Sequence, residues 1–125
     1  MTKKEFGEIC TRISSISPYI RFVGIINKDG KLRAYQRRAG LKALLGAKDT
    51  KDQFSDVAIK KDLEGKFNKM LGRVQFVWEE RKKVQTISFT IKTSRVWVSI
   101  DKKVVRSEML RIIDSCLPIV KNYSS

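Results

Sequence analysis

The chain has 125 residues, 42% of them apolar and 32% charged, which is the length and balance of one globular domain rather than a disordered tail. Twenty-seven Lys and Arg stand against thirteen Asp and Glu, a net charge of +14. There is no histidine, which excludes a Ser-His-Asp triad, a Cys-His dyad and any His-ligated metal.

The first segment, from about Lys3 to Ser17, repeats apolar residues at helical spacing: Phe6, Ile9, Cys10, Ile13 and Ile16. Thr2 with Glu5 has the form of a capping box, and Pro18 closes the stretch. Tyr19 to Ile26 is β-branched and aromatic and predicts a strand buried on much of both faces. Asn27-Lys28-Asp29-Gly30 predicts a hairpin turn, with Gly30 supplying the positive φ. Lys31 to Arg37 alternates as the partner strand, its charged positions guarding an edge or facing solvent.

Residues 38–51 read as a connecting loop with a short helical turn around Leu41, Leu44 and Leu45. Asp49 or Asp52 then caps a long helix that runs through Leu71, with Gly72 as its stop. The apolar set of that helix (Phe54, Val57, Ala58, Ile59, Leu63, Phe67, Met70 and Leu71) is wider than one stripe, and its phase drifts. A helix of this kind meets two partners, the sheet and something else.

A three-stranded meander follows. Val74, Phe76 and Trp78 alternate with polar positions, as do Ile87, Phe89 and Ile91, and then Val96, Val98 and Ile100. Arg81-Lys82-Lys83 and Thr93-Ser94 mark the turns, and the alternation predicts antiparallel strands with one packed face. The last helix, about Val104 to Asn122, places Val105, Met109, Ile112, Ile113, Cys116, Leu117 and Val120 on one face. Pro118 kinks it or marks its final turn, and Tyr123-Ser124-Ser125 is expected to fray. The resulting order, α-β-β-α-β-β-β-α, is satisfied by an α+β fold: one five-stranded antiparallel sheet with helices on both faces, in a single domain over residues 1–125.

The basic residues are concentrated in two stretches. Residues 31–51 carry a net +6 and residues 81–106 a net +7, together nearly all of the +14. Arg33, Arg37, Arg38, Arg81, Lys82, Lys83, Lys92, Arg95, Lys102, Lys103 and Arg106 form the candidate basic patch. Such a surface attracts phosphates or acidic protein, with binding that weakens steeply with salt; the plain alternative is a solvated face with no partner. Tyr35 and Trp97, set among arginines, could stack on bases or belong to the core. Glu79, Glu80, Asp62 and Glu64 read as ordinary surface ion-pair partners. Cys10 and Cys116 read as small buried hydrophobes, with a redox pair as the alternative. Without a CxxC pattern or an apolar leader, a reducing cytoplasm is the expected setting. No apolar run approaches the ~20 residues of a membrane helix. No GK[ST] phosphate loop, zinc pattern or nucleophile–base pair occurs, so neither an enzyme nor a cofactor or metal is expected.

In its element order the chain resembles the roadblock / dynein light chain family, a profilin-like fold. Val23-Gly24-Ile25-Ile26-Asn27-Lys28-Asp29-Gly30-Lys31-Leu32 resembles that family's first hairpin, an apolar strand with an internal Gly leading into a D-G turn. Ile20-Arg21-Phe22-Val23-Gly24 with Asn27 to Leu32 is also similar to a group of small archaeal proteins. The resemblance implies sheet order 2-1-5-4-3, with the first and last helices on one face and the middle helix on the other. It implies a dimer, a homodimer or heterodimer, formed through that middle helix and the edge strand after it. Phe54, Val57, Ile59, Leu63, Phe67 and Met70 are the interface candidates. It implies a non-catalytic platform for a small GTPase, a motor complex or a membrane-associated assembly. The +14 is unusually basic for such a platform. The alternatives are a basic protein bound to a nucleic-acid backbone and a profilin-like small-ligand sensor.

Overall fold

The computed structural model describes residues 1–124. The chain runs α1 (Lys3–Ser14), β1 (Ile20–Ile26), β2 (Leu32–Arg37), α2 (Ala47–Gly65), α3 (Asn68–Leu71), β3 (Phe76–Glu80), β4 (Val84–Ile91), β5 (Ser94–Asp101) and α4 (Arg106–Ser124). All strand pairings are antiparallel, in the order β2-β1-β5-β4-β3. This is the predicted order and the predicted layering: α1 and α4 share one face and touch each other, while α2 lies on the other.

Each face has its own core. Under α1 and α4 lies a continuous apolar layer that includes Ile9, Ile13, Val23, Ile25, Phe89, Val98, Met109, Ile112 and Ile113. Under α2 lies a smaller one of Phe22, Ile26, Phe54 and Trp97. The sheet's central strands therefore serve two layers. β5 is buried on both faces, with Val96, Val98 and Ile100 toward the larger core and Trp97 toward α2. Alternation alone predicted one packed face there. The second is packed because α2 returns across it.

Local chemistry sets most of the boundaries. Thr2 Oγ1 accepts from the Glu5 amide at 3.1 Å while Glu5 accepts from the Thr2 amide at 3.1 Å, the predicted capping box. In the β1–β2 turn, Asn27 Oδ1 accepts from the amides of Asp29 and Lys31 at 2.9 and 3.0 Å. Gly30 there has φ +80°, and a β-carbon on it would stand 2.9 Å from the Ser55 backbone. The hairpin tip is thus pressed against α2, which only a glycine permits.

Several boundaries differ from the sequence reading. α2 begins at Ala47 with Gly46 as its cap, and Thr50 Oγ1 donates to the Gly46 carbonyl at 2.9 Å. Asp49 and Asp52 lie inside the helix rather than at its cap, Asp49 in its first, dipole-favoured turn. The long helix does not run unbroken to Leu71; it ends at Gly65 and resumes as the single turn α3, with Gly72 (φ +83°) closing it. Val74 precedes β3. Val105 is exposed, because α4 starts one residue later and Val104 takes the buried place. Tyr123 does not fray: it is helical, and its hydroxyl donates to Glu8 on α1 at 3.0 Å. Ser125, the last residue expected to fray, lies outside the described residues.

Candidate interaction surfaces

α2 is apolar on two opposed sides because its apolar residues follow two phases. Phe54 and Val57 are three apart and turn inward. The Phe54 ring meets Phe22 and Trp97 at centroid distances of 6.2 and 5.7 Å. Ile59 and Leu63 are four apart and fall on the outer side, where they are half exposed. The break after Gly65 carries the exposed run onward through Phe67 to Met70 and Leu71, which are 84% and 80% exposed. Of the six interface candidates, four (Ile59, Leu63, Phe67 and Met70) stand on one open apolar run. Phe54 is spent on the protomer's own core and Val57 is partly buried beside it. Leu71 belongs to the exposed run and is absent from the six. Its place could be read only once the helix was known to break.

Next to this run lies β3, whose outer side pairs with no other strand among the described residues. Val77 is half-buried on this strand, while Phe76 and Trp78 turn to the other face and pack against the core under α1 and α4. Lys60 ties the two elements, with Asp56 at 3.0 Å and Glu79 of β3 at 3.5 Å. The hydrogen bond that Lys60 donates to Asp56, followed by the charge of Glu79, holds the Lys60 ammonium above its ordinary pKa. Trp78 Nε1 donates to Gln85, whose own amide donates to the Val104 carbonyl at 2.7 Å, anchoring β3 and the entry to α4 to one buried side chain.

The strand register gathers part of the basic set. Arg37 pairs with Phe22, Ile20 with Ile100 and Val84 with Asp101. Arg37, Arg38, Arg81, Lys82, Lys83, Lys102, Lys103 and Arg106 therefore cluster at one end of the sheet. Arg33 and Lys92 lie toward the other end. Arg106 is engaged by Glu80 through two hydrogen bonds of 2.9 Å, which lower the Glu80 pKa and raise that of Arg106. Arg38 donates to the Pro18 carbonyl.

Arg95 is not on this surface. It is 2% exposed beneath α2, where its guanidinium pairs with Glu64 and donates to Ser88 at 3.2 Å. Glu64, read as a surface ion-pair partner, is the counter-charge of this buried arginine. Trp97 is likewise in the core, 7% exposed beneath α2, whereas Tyr35 is exposed and stacks on Phe22 at 5.8 Å. Cys10 and Cys116 are buried in the larger core, and burial raises their thiol pKa values to about 11 and about 12. Among the described residues no cluster of three metal-ligating side chains occurs, and no helix is long and apolar enough to cross a membrane.

No family model matches the chain, and no curated protein does. Solved structures do. The gliding protein MglB of Thermus thermophilus superposes with a TM-score of 0.73 at 10% identity, covering 98% of this chain and 90% of that one. A Roadblock/LC7 domain from Streptomyces avermitilis gives 0.64 at 11% identity, over 94% and 95%. The chain has the roadblock/LC7 fold. Fission yeast profilin, from Schizosaccharomyces pombe, also superposes, with a TM-score of 0.63 at 10% identity over 96% and 99% of the two chains, so the fold is profilin-like as well. One MglB structure is described as having a tetrameric arrangement, at a TM-score of 0.72 and 10% identity over 98% of this chain and 89% of that one. Within this roadblock/LC7 fold, the Lys60–Glu79 ion pair links α2 to β3, and most of the candidate basic residues gather at one end of the sheet.

Proposed function

We propose that this chain is a non-catalytic interaction scaffold that works as a dimer, joined through the outer face of α2, the α3 turn and the free edge of β3. The observation that carries this reading is the exposed apolar run Ile59, Leu63, Phe67, Met70 and Leu71 beside a strand whose outer edge is unpaired among the described residues. Burying one such side chain stabilises an assembly by roughly 1.5–3 kcal/mol. Five of them outweigh the cost of ordering the partner in a way that a scattered surface leucine does not. The structural neighbours support a regulatory or scaffolding role rather than an enzymatic one. The resemblance of the first hairpin points to a small GTPase or a regulatory complex as the partner protein. Light scattering tests the dimer: the expected mass is twice 14.4 kDa at tens of micromolar, and a strict monomer there counts against it. Met70→Glu, at the most exposed position, should split the dimer and leave the circular dichroism spectrum unchanged.

A second reading has its own observation. The cations at one end of the sheet suit a nucleic-acid backbone, and a mobility shift that fades steeply between low and moderate salt is its signature. No shift at low salt removes it. A pull-down in nuclease-treated and untreated halves separates the two kinds of partner.

A further inference from the structure

At the end of the sheet where β2 and β5 stop, an open cleft of about 830 Å³ lies between the first half of α2, the connection 38–46 and the β3–β4 turn. Small-molecule sites span roughly 300–1,000 Å³ and are mostly apolar with a few polar groups. Here Phe22, Phe54 and Trp97 make the floor, and Leu41, Leu44 and Leu45 make the outer wall. Leu44 and Leu45 are half exposed in a stretch without regular structure, so they stand over the cleft without being needed by either core.

The charges lining it are segregated. Asp49, Asp52 and Asp56 all stand on the α2 wall, and Asp56 is already engaged by Lys60. Facing them from the strands, the connection and the turn are Arg21, Arg37, Lys42, Arg81, Lys82 and Lys83. None of these six has an ion-pair partner among the described residues. Arg21 is used internally: its Nη2 donates to the Lys42 carbonyl at 3.1 Å, which holds the connection against the sheet. Arg37 lies over the Phe22 ring, 5.4 Å from its centroid. The Arg81-Lys82-Lys83 turn is the part left free to receive an anion.

We propose that this cleft binds a small amphipathic anion, an acyl or aromatic body on the Phe22–Trp97 floor with a phosphate or carboxylate head on the 81–83 turn. Inorganic phosphate would meet the cations and leave the apolar floor wet. A neutral apolar molecule would cover the floor and leave the cations unanswered. Only the combination uses both the apolar floor and the cationic turn. The same chemistry can come from a soluble acyl phosphate or from an anionic lipid. The cleft is at the opposite end of α2 from the dimer run, so the two readings stand or fall separately.

Trp97 in the floor is a built-in reporter. Trp78→Phe leaves it the sole tryptophan of two. Octyl phosphate, kept below its micelle concentration, is expected to change Trp97 emission saturably. Octyl glucoside, with the same chain and no charge, should bind at least about tenfold more weakly, a factor that one lost charge-assisted contact accounts for. Leu44→Asp, and separately the triple change Arg81→Glu, Lys82→Glu, Lys83→Glu, should each weaken octyl phosphate by a similar factor; both alter exposed positions outside the cores. If Trp78→Phe fails to fold, calorimetry on the unaltered chain reads the same titration. No saturable binding, equal binding of octyl glucoside, or indifference to both sets of substitutions overturns the proposal. Co-sedimentation with phosphatidylglycerol vesicles but not phosphatidylcholine vesicles, lost in Leu44→Asp, identifies the lipid source. Octyl phosphate binding without sedimentation identifies the soluble one.

Discussion

Arg95 and Glu64 make a test at the scale of single side chains. A buried guanidinium with its counter-ion removed is left charged in an apolar layer, which costs about 3–5 kcal/mol. Glu64→Ala should therefore destabilise far more than its partial exposure suggests, and Arg95→Met with Glu64→Ala should recover most of the loss in a denaturant double-mutant cycle. A near-additive pair in that cycle would show that the ion pair contributes little. The thiols give a second test. Cys10 and Cys116 should react negligibly with Ellman's reagent in the native protein and fully in denaturant. Their folded pKa values lie above the ordinary thiol value of 9.0, so the neutral form is the one the fold favours. The contribution is therefore complete below pH 9 and is lost as pH climbs through about 11 and about 12, where stability should fall. The sequence made the burial of both cysteines legible, since each sits on an apolar helix face. It could not reveal Arg95, because alternation says which face of a strand a residue takes and not whether a distant helix covers that face.

On the scale of elements, α2 is the informative case. The drifting apolar phase was readable from the sequence and predicts two contact faces. The structure assigns them: Phe54 and Val57 inward, Ile59 and Leu63 outward. Phe54→Ala should cost about 3–5 kcal/mol in stability, the usual loss for a buried aromatic. Ile59→Lys, on the outer face, should leave the melting temperature nearly unchanged and weaken self-association in sedimentation. If both substitutions act on stability alone, the outer run is not an interface. Gly30→Ala belongs here as well, because it strains φ +80° and drives a β-carbon into the Ser55 backbone. A loss of about 1–3 kcal/mol is expected, seen as a lower denaturant midpoint. The helix's break was not legible, since Phe67, Met70 and Leu71 continue an apolar pattern that a longer helix would satisfy equally well. Nor was its cap, where a glycine was preferred over two nearby aspartates.

For the whole molecule, the element order predicted a five-stranded antiparallel sheet with helices on both faces, and only the resemblance of its first hairpin to the roadblock family implied the sheet order and which helices share a face. The gathering of cations at one end was only partly foreseeable. Two basic segments were visible, but their meeting depends on the β1–β5 pairing, which joins residues far apart in the chain. The cleft was invisible for the same reason: its lining comes from five separate stretches. Salt is the lever at this scale. Any anionic partner held by that end should lose affinity steeply with ionic strength, whereas the dimer, being apolar, should persist, and sedimentation across a salt series checks both at once.

The two borders of the sheet are unlike each other, and this limits how the molecules can polymerise. β2 ends the sheet on one side with an exposed strand that carries Arg33 and Arg37 and is flanked by Lys31 and Arg38. β3 ends it on the other with Phe76, Val77 and Trp78. A plank with two adhesive borders grows into a filament, whereas one with a single adhesive border stops when two such borders meet around a twofold axis. In the proposed dimer the cationic border would act as a terminator. Neutralising Arg33 and Arg37 would be the way to turn a closed pair into an open-ended fibre.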